Sequence, residues 1–102
     1  MSDRLTQLQK MLEREPADPF LLYGVAMEHK KAGDAADAIE FFEKTIAADS
    51  GYCYAFYQLG QTYEQLDETE LAKKAYGDGI TAARVKGDDH ALSELETALA
   101  ML

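Results

Sequence analysis

Residues 54–79 read YAFYQLGQTYEQLDETELAKKAYGDG. Their large apolar and small residues recur at fixed intervals, as Phe56-x2-Leu59-Gly60-x2-Tyr63-x8-Ala72-x3-Tyr76-x2-Gly79. Steps of three and four put Phe56, Leu59, Gly60 and Tyr63 on one face of a helix, and Ala72, Tyr76 and Gly79 on one face of a second. Between them Asp67-Glu68 leaves room only for an antiparallel turn. The stretch predicts a helical hairpin, with a first helix from about Tyr52 to Leu66 and a longer one from about Thr69 to Lys86. The small residues Gly60, Ala72 and Gly79 predict close approach of its helices.

The same skeleton occurs 34 residues earlier. The displacement sets Leu22 on Phe56, Val25 on Leu59, Ala26 on Gly60, His29 on Tyr63, Ala38 on Ala72 and Phe42 on Tyr76. Asp18-Pro19 reads as an N-cap followed by proline at the first helical position, and Lys30-Lys31 precede a stop at Gly33. Asp34 is expected to cap the next helix, Ala35 to Ala48, which turns Ala38, Ile39, Phe42 and Ile46 inward and Asp37, Glu40, Glu43 and Lys44 outward. Leu5, Leu8 and Leu12 stand 34 residues ahead of Ile39, Phe42 and Ile46, as the second helix of a truncated repeat would. After Gly87-Asp88-Asp89, Leu92, Leu95, Leu99 and Leu102 form a last apolar stripe, the first three following Phe56, Leu59 and Tyr63 by 36 residues. No segment alternates apolar and polar residues long enough to make a strand. The expectation is an all-α chain of about six helices forming one domain. It divides into a half-repeat helix in 1–17, repeats in 18–51 and 52–87, and a capping helix in 88–102.

The second unit resembles the tetratricopeptide repeat, with Phe56 where that family most often has tryptophan. The first matches at Gly33-Asp34, Ala38-Ile39 and Phe42, and carries Leu22, Ala26 and His29 where the family favours an aromatic residue, glycine and tyrosine. The resemblance implies a short right-handed solenoid of antiparallel helical hairpins packed through Leu22, Val25, Ala26, Ala38, Phe42, Phe56, Leu59, Gly60, Tyr63, Ala72, Tyr76 and Gly79. It also implies a concave groove lined by the first helix of each pair, so that Phe20 pairs with Tyr54, Tyr23 with Tyr57, Met27 with Gln61, and Lys30-Lys31 with Glu64-Gln65. Repeats of this family that clamp a C-terminal carboxylate present lysine and asparagine there. Tyr23 and Met27 take that place in this chain, which favours a partner segment with apolar anchors. The function implied is noncatalytic binding of a protein or peptide segment in the groove. The alternative is self-assembly, with two copies pairing through the groove or through the leucine stripes of the end helices.

Composition narrows the field further. The chain has 102 residues, ten basic against nineteen acidic, for a net charge of −9. Such a surface repels a phosphate backbone, so nucleic acid is not an expected partner. No apolar run approaches a membrane span, the first residues lack the apolar region of a signal peptide, and the single cysteine, Cys53, fits a reducing compartment. A cytoplasmic protein is expected. Catalysis needs convergent reactive groups, and the sequence offers none. His29 and His90 are the only histidines, and neither has a second histidine one turn away, so no metal site and no cofactor is expected. Cys53 reads as a small packing residue, although amide dipoles at a helix start would lower its thiol pKa. Gly77, inside a predicted helix, has no role in this reading.

Overall fold

The computed structural model describes residues 3–102. Met1 and Ser2, the start of the expected half-repeat segment, lie outside the described residues. Six helices follow one another: α1 (Asp3–Arg14), α2 (Pro19–Lys31), α3 (Ala35–Ala48), α4 (Cys53–Gln65), α5 (Thr69–Lys86) and α6 (Asp89–Ala100). There is no strand among the described residues. Helices α2 and α3 form one antiparallel hairpin and α4 and α5 a second. Helix α1 packs on the α2 side of the first, and α6 packs against α5 and α4 of the second.

Local chemistry accounts for the helix ends. The Asp18 carboxylate accepts from the backbone N–H of Phe20 at 2.9 Å and of Leu21 at 3.3 Å, with Pro19 at the first position of α2. Asp88 caps α6 by accepting from the Ala91 N–H at 3.1 Å. Asp34 stands at the start of α3 as expected, yet its side chain makes no capping bond. The carboxylate lies instead within 3.9 Å of the His29 ring, drawn to the last turn of α2. Three helices close in the same way, with one left-handed residue and a backbone N–H reaching back five residues. The left-handed residues are Gly33, Asp67 and Gly87, and the bonds run from Asp34 to His29, Glu68 to Tyr63 and Asp88 to Ala83, each 2.9 Å.

The apolar faces form three consecutive cores. Leu5 and Leu8 of α1 meet Leu21 and Val25 of α2. Ala26, Ala38, Phe42, Ala55, Leu59 and Ala75 join the two hairpins, and Cys53, Phe56, Ala72, Tyr76, Ile80 and Ala83 close on Ala91 and Leu95 of α6. Of the packing residues read from the repeat, all are buried except Tyr63, which is half-buried. Ile39 and Ile46 also lie half-buried at the margin of the middle core, and Leu102 falls beyond the end of α6 and is exposed. Two fully buried threonines, Thr45 and Thr62, satisfy their hydroxyls by donating to the carbonyls of Phe41 and Gln58 at 2.7 Å.

Gly60 and Gly79 are required by space. A Cβ at Gly60 would lie 2.3 Å from the Tyr76 ring, and one at Gly79 would lie 2.7 Å from Phe56 Cβ. Gly77 differs, because a Cβ there meets nothing within 4 Å. Glycine in a helix costs about 1 kcal/mol against alanine, so Gly77→Ala is expected to stabilise the chain by up to that amount. In a domain of this size that raises Tm by roughly 4–8 °C in a circular-dichroism melt. A Tm that stays level or falls would mean that the glycine serves something other than packing.

Candidate partner-binding groove

Helices α2 and α4 are tied side by side by a polar lattice. The Lys30 ammonium donates to the Gln58 side-chain oxygen and, at 2.9 Å, to that of Gln61. Gln61 then donates to the Tyr57 phenol at 3.2 Å. Partial burial holds the Lys30 pKa below its ordinary value. An ammonium held by two neutral carboxamides keeps its charge available to the open side of the lattice.

Two clefts flank this lattice. One, of about 420 Å³, is lined by Met27, Glu28, Lys30, Lys31 and Gln65. Glu28 is almost covered and faces Arg4 of α1, 3.7 Å away. The other, of about 310 Å³, lies at the opposite ends of the helices between Tyr23, Tyr52, Cys53, Tyr54, Lys86 and Asp88. Its rings continue into the core. Tyr23 stacks on Tyr52 at 4.9 Å and meets Phe42 at 5.8 Å, while Tyr54 meets Tyr57 edge-on at 6.4 Å and Tyr57 meets Tyr76 at 6.1 Å. The Tyr76 phenol donates to Glu64, and burial followed by that carboxylate pushes its pKa far above the usual tyrosine range.

The residues expected to line the groove divide accordingly. Tyr23 and Tyr54 face one cleft, and Met27, Lys31 and Gln65 the other. Tyr57 and Gln61 belong to the lattice between them. Phe20 lines neither cleft and is 64% exposed. Sequence reasoning missed Gln58 and Tyr52 and did not place Lys86 or Asp88 in the groove. Lys30 crosses to Gln58 diagonally, not along a repeat column, and Tyr52 read only as a helix boundary.

The reactive side chains have ordinary surroundings. Burial pushes the Cys53 thiol up, against the lowering that amide dipoles alone would give, and its Sγ donates to the Gly51 carbonyl at 3.3 Å. His29 lies against Phe41, with ring centroids 5.6 Å apart, and His90 pairs with Glu94 at 2.7 Å on the surface. Among the described residues one set of potential metal ligands converges, His29, Asp34 and Asp37, with ligand atoms within 4.8 Å of one another. Both carboxylates are exposed at the start of α3 and the imidazole ends α2, positions where helix dipoles favour those charges. This spacing of His29, Asp34 and Asp37 went unread in the sequence, where a second histidine one turn away was the signal sought.

Comparison with known proteins agrees with this architecture. A tetratricopeptide repeat family model matches residues 54–85. The crystal structure of a tetratricopeptide repeat domain protein from Salinibacter ruber is 40% identical, covers 82% of this chain and 93% of its own, and superposes with a TM-score of 0.76. The chain belongs to the tetratricopeptide repeat family. A TPR repeat-containing protein of Pseudomonas aeruginosa is 27% identical over 95 residues, or 93% of this chain and 90% of that protein. A solution structure from Bordetella parapertussis, 22% identical, shares the fold over 99% of this chain and 88% of its own with a TM-score of 0.84. As a tetratricopeptide repeat chain, this protein has the fold of a protein interaction module, a class that is typically noncatalytic. Among the described residues no helix is long and apolar enough to cross a membrane.

Proposed function

We propose that the chain is a noncatalytic cytoplasmic adaptor that binds a segment of a partner protein along α2 and α4. The observation that carries this reading is the line of open clefts joined by the Lys30 lattice, aromatic at one end and amphipathic at the other. Tyrosine and methionine supply contact area with adaptable packing, and the carboxamides of Gln58, Gln61 and Gln65 supply bonds that fix the register of an extended or helical segment. With two hairpins the contact area is small, so single-site affinity is modest.

The test begins with selection of binding peptides from a random dodecapeptide display library, followed by fluorescence anisotropy with a selected peptide. Lys31→Ala/Gln65→Ala is expected to weaken binding about tenfold, equivalent to about 1.4 kcal/mol, while Glu40→Ala/Lys44→Ala on the exposed side of α3 leaves it unchanged. Equal effects of both variants would sink the groove assignment. Light scattering across a concentration series tests self-assembly, which predicts a dimer that the groove variant or changes in the end helices dissociate.

A further inference from the structure

The aromatic cleft has a composition that selects for charge. Three tyrosines form its walls and the buried Cys53 its base, while Asp88 stands at its edge. Asp18 and Asp49 act electrostatically on Tyr52, and Glu94, which pairs with His90 at 2.7 Å, acts electrostatically on Tyr54. Among the described residues the one cation lining the cleft is Lys86, whose ammonium donates to the Gly51 carbonyl at 3.2 Å. Asp88 and Lys86 thus line the cleft together, the lysine already turned to a backbone oxygen, and Asp18, Asp49 and Glu94 add negative charge that is felt by its tyrosines. Asp18 and Asp88 each use a carboxylate in capping, and that fixes them in place without removing their charge.

Building on the proposed groove, we infer that this cleft receives the guanidinium or ammonium of an arginine or lysine in the bound segment, stacked on Tyr54 or Tyr52 and paired with Asp88. A cation over a phenol face is attracted by the ring quadrupole, and a guanidinium also presents donors that fit a neighbouring carboxylate. An anionic side chain would meet repulsion from Asp88 and from the carboxylates that act on the cleft tyrosines. An apolar one would strip water from them without replacing its hydrogen bonds. The net charge of −9 acts in the same sense at long range, raising the encounter rate of a basic segment.

Peptides selected from the dodecapeptide library on the wild-type chain are expected to share one arginine or lysine position. Changing that residue to glutamine, or Tyr54→Leu in the protein, should weaken binding about tenfold. Lys86→Gln removes the competing cation from an exposed position, so it should strengthen binding severalfold. Selected peptides that respond to Lys31→Ala/Gln65→Ala but lack a basic position, and ignore Tyr54→Leu and Lys86→Gln, would overturn the cation site while the groove stands. A basic preference that ignores Tyr54→Leu and disappears at 0.5 M salt would also overturn it, as diffuse attraction. Failure to select any peptide that responds to either set of variants would defeat both readings.

Discussion

Phe42→Ala is expected to lower stability by about 3–5 kcal/mol, a large share of the roughly 5–15 kcal/mol available to a typical domain. Phe42 is fully buried where the two hairpins meet, in one core with Ala26, Ala38, Ala55, Leu59 and Ala75. Four of the five buried residues that share its core are alanines, which cannot extend into the vacated space, so a cavity would persist unless the half-buried side chains at the margin move in. Urea unfolding followed by circular dichroism would show the loss as a fall in the midpoint with little change in slope. The comparison is Phe20→Ala, which removes the same ring from a 64% exposed position and should change stability by no more than about 0.5 kcal/mol. A loss below about 1.5 kcal/mol at Phe42 would mean that the hairpins close over the gap. The same variant should weaken partner binding, because Phe42 backs Tyr23 at 5.8 Å.

Gly60→Ala is expected to be the next most damaging change. The added methyl would lie 2.3 to 2.7 Å from three atoms of the Tyr76 ring. That ring is fully buried, held at its hydroxyl by Glu64 and flanked by Tyr57, so it has nowhere to retreat. Overpacking of this kind costs about 1–3 kcal/mol and sometimes more, and it must also cancel the helical advantage of alanine. A net loss of about 2 kcal/mol corresponds to a Tm lower by roughly 8–16 °C. Gly77→Ala is the same chemical change in a helix and carries the opposite expected sign, so the pair separates packing from propensity. Adding Tyr76→Leu to Gly60→Ala should recover part of the loss as a favourable coupling in a double-mutant cycle. Additive effects would show that the clash is relieved by backbone movement instead.

Much of this was readable because the repeat records which residues share an environment. Gly60 and Ala26 occupy one column, and in both a small residue lets another helix approach. Periodicity alone therefore located both hairpins and the core positions of the repeat columns, while Leu21, Ala55, Thr62 and Ala75, buried outside those columns, went unread. The groove was less legible. Columns compare equivalent positions in successive repeats, whereas the bonds that build the lattice run from Lys30 to Gln58 and Gln61, across the columns. Phe20 marks the limit from the other side. Its column places it beside Tyr54, yet the start of α2 leaves the ring mostly in solvent, since helical phase does not report where a surface ends. Asp34 shows a similar limit, because capping depends on which nearby group the carboxylate turns toward, and His29 comes from the preceding helix.

The neighbour-to-neighbour packing of the helices has a kinetic consequence. Contacts join segments close in the chain, so little loop entropy is lost before the first native interactions form, and either hairpin is able to nucleate. Detachment is correspondingly unequal along the array. Helix α1 rests on α2 through a small apolar seam of Leu5 and Leu8 against Leu21 and Val25, whereas α5 is clasped between α4 and α6. Amide exchange should thus proceed by separate release of α1, with the α4–α5 hairpin giving up its protons only when the whole chain opens.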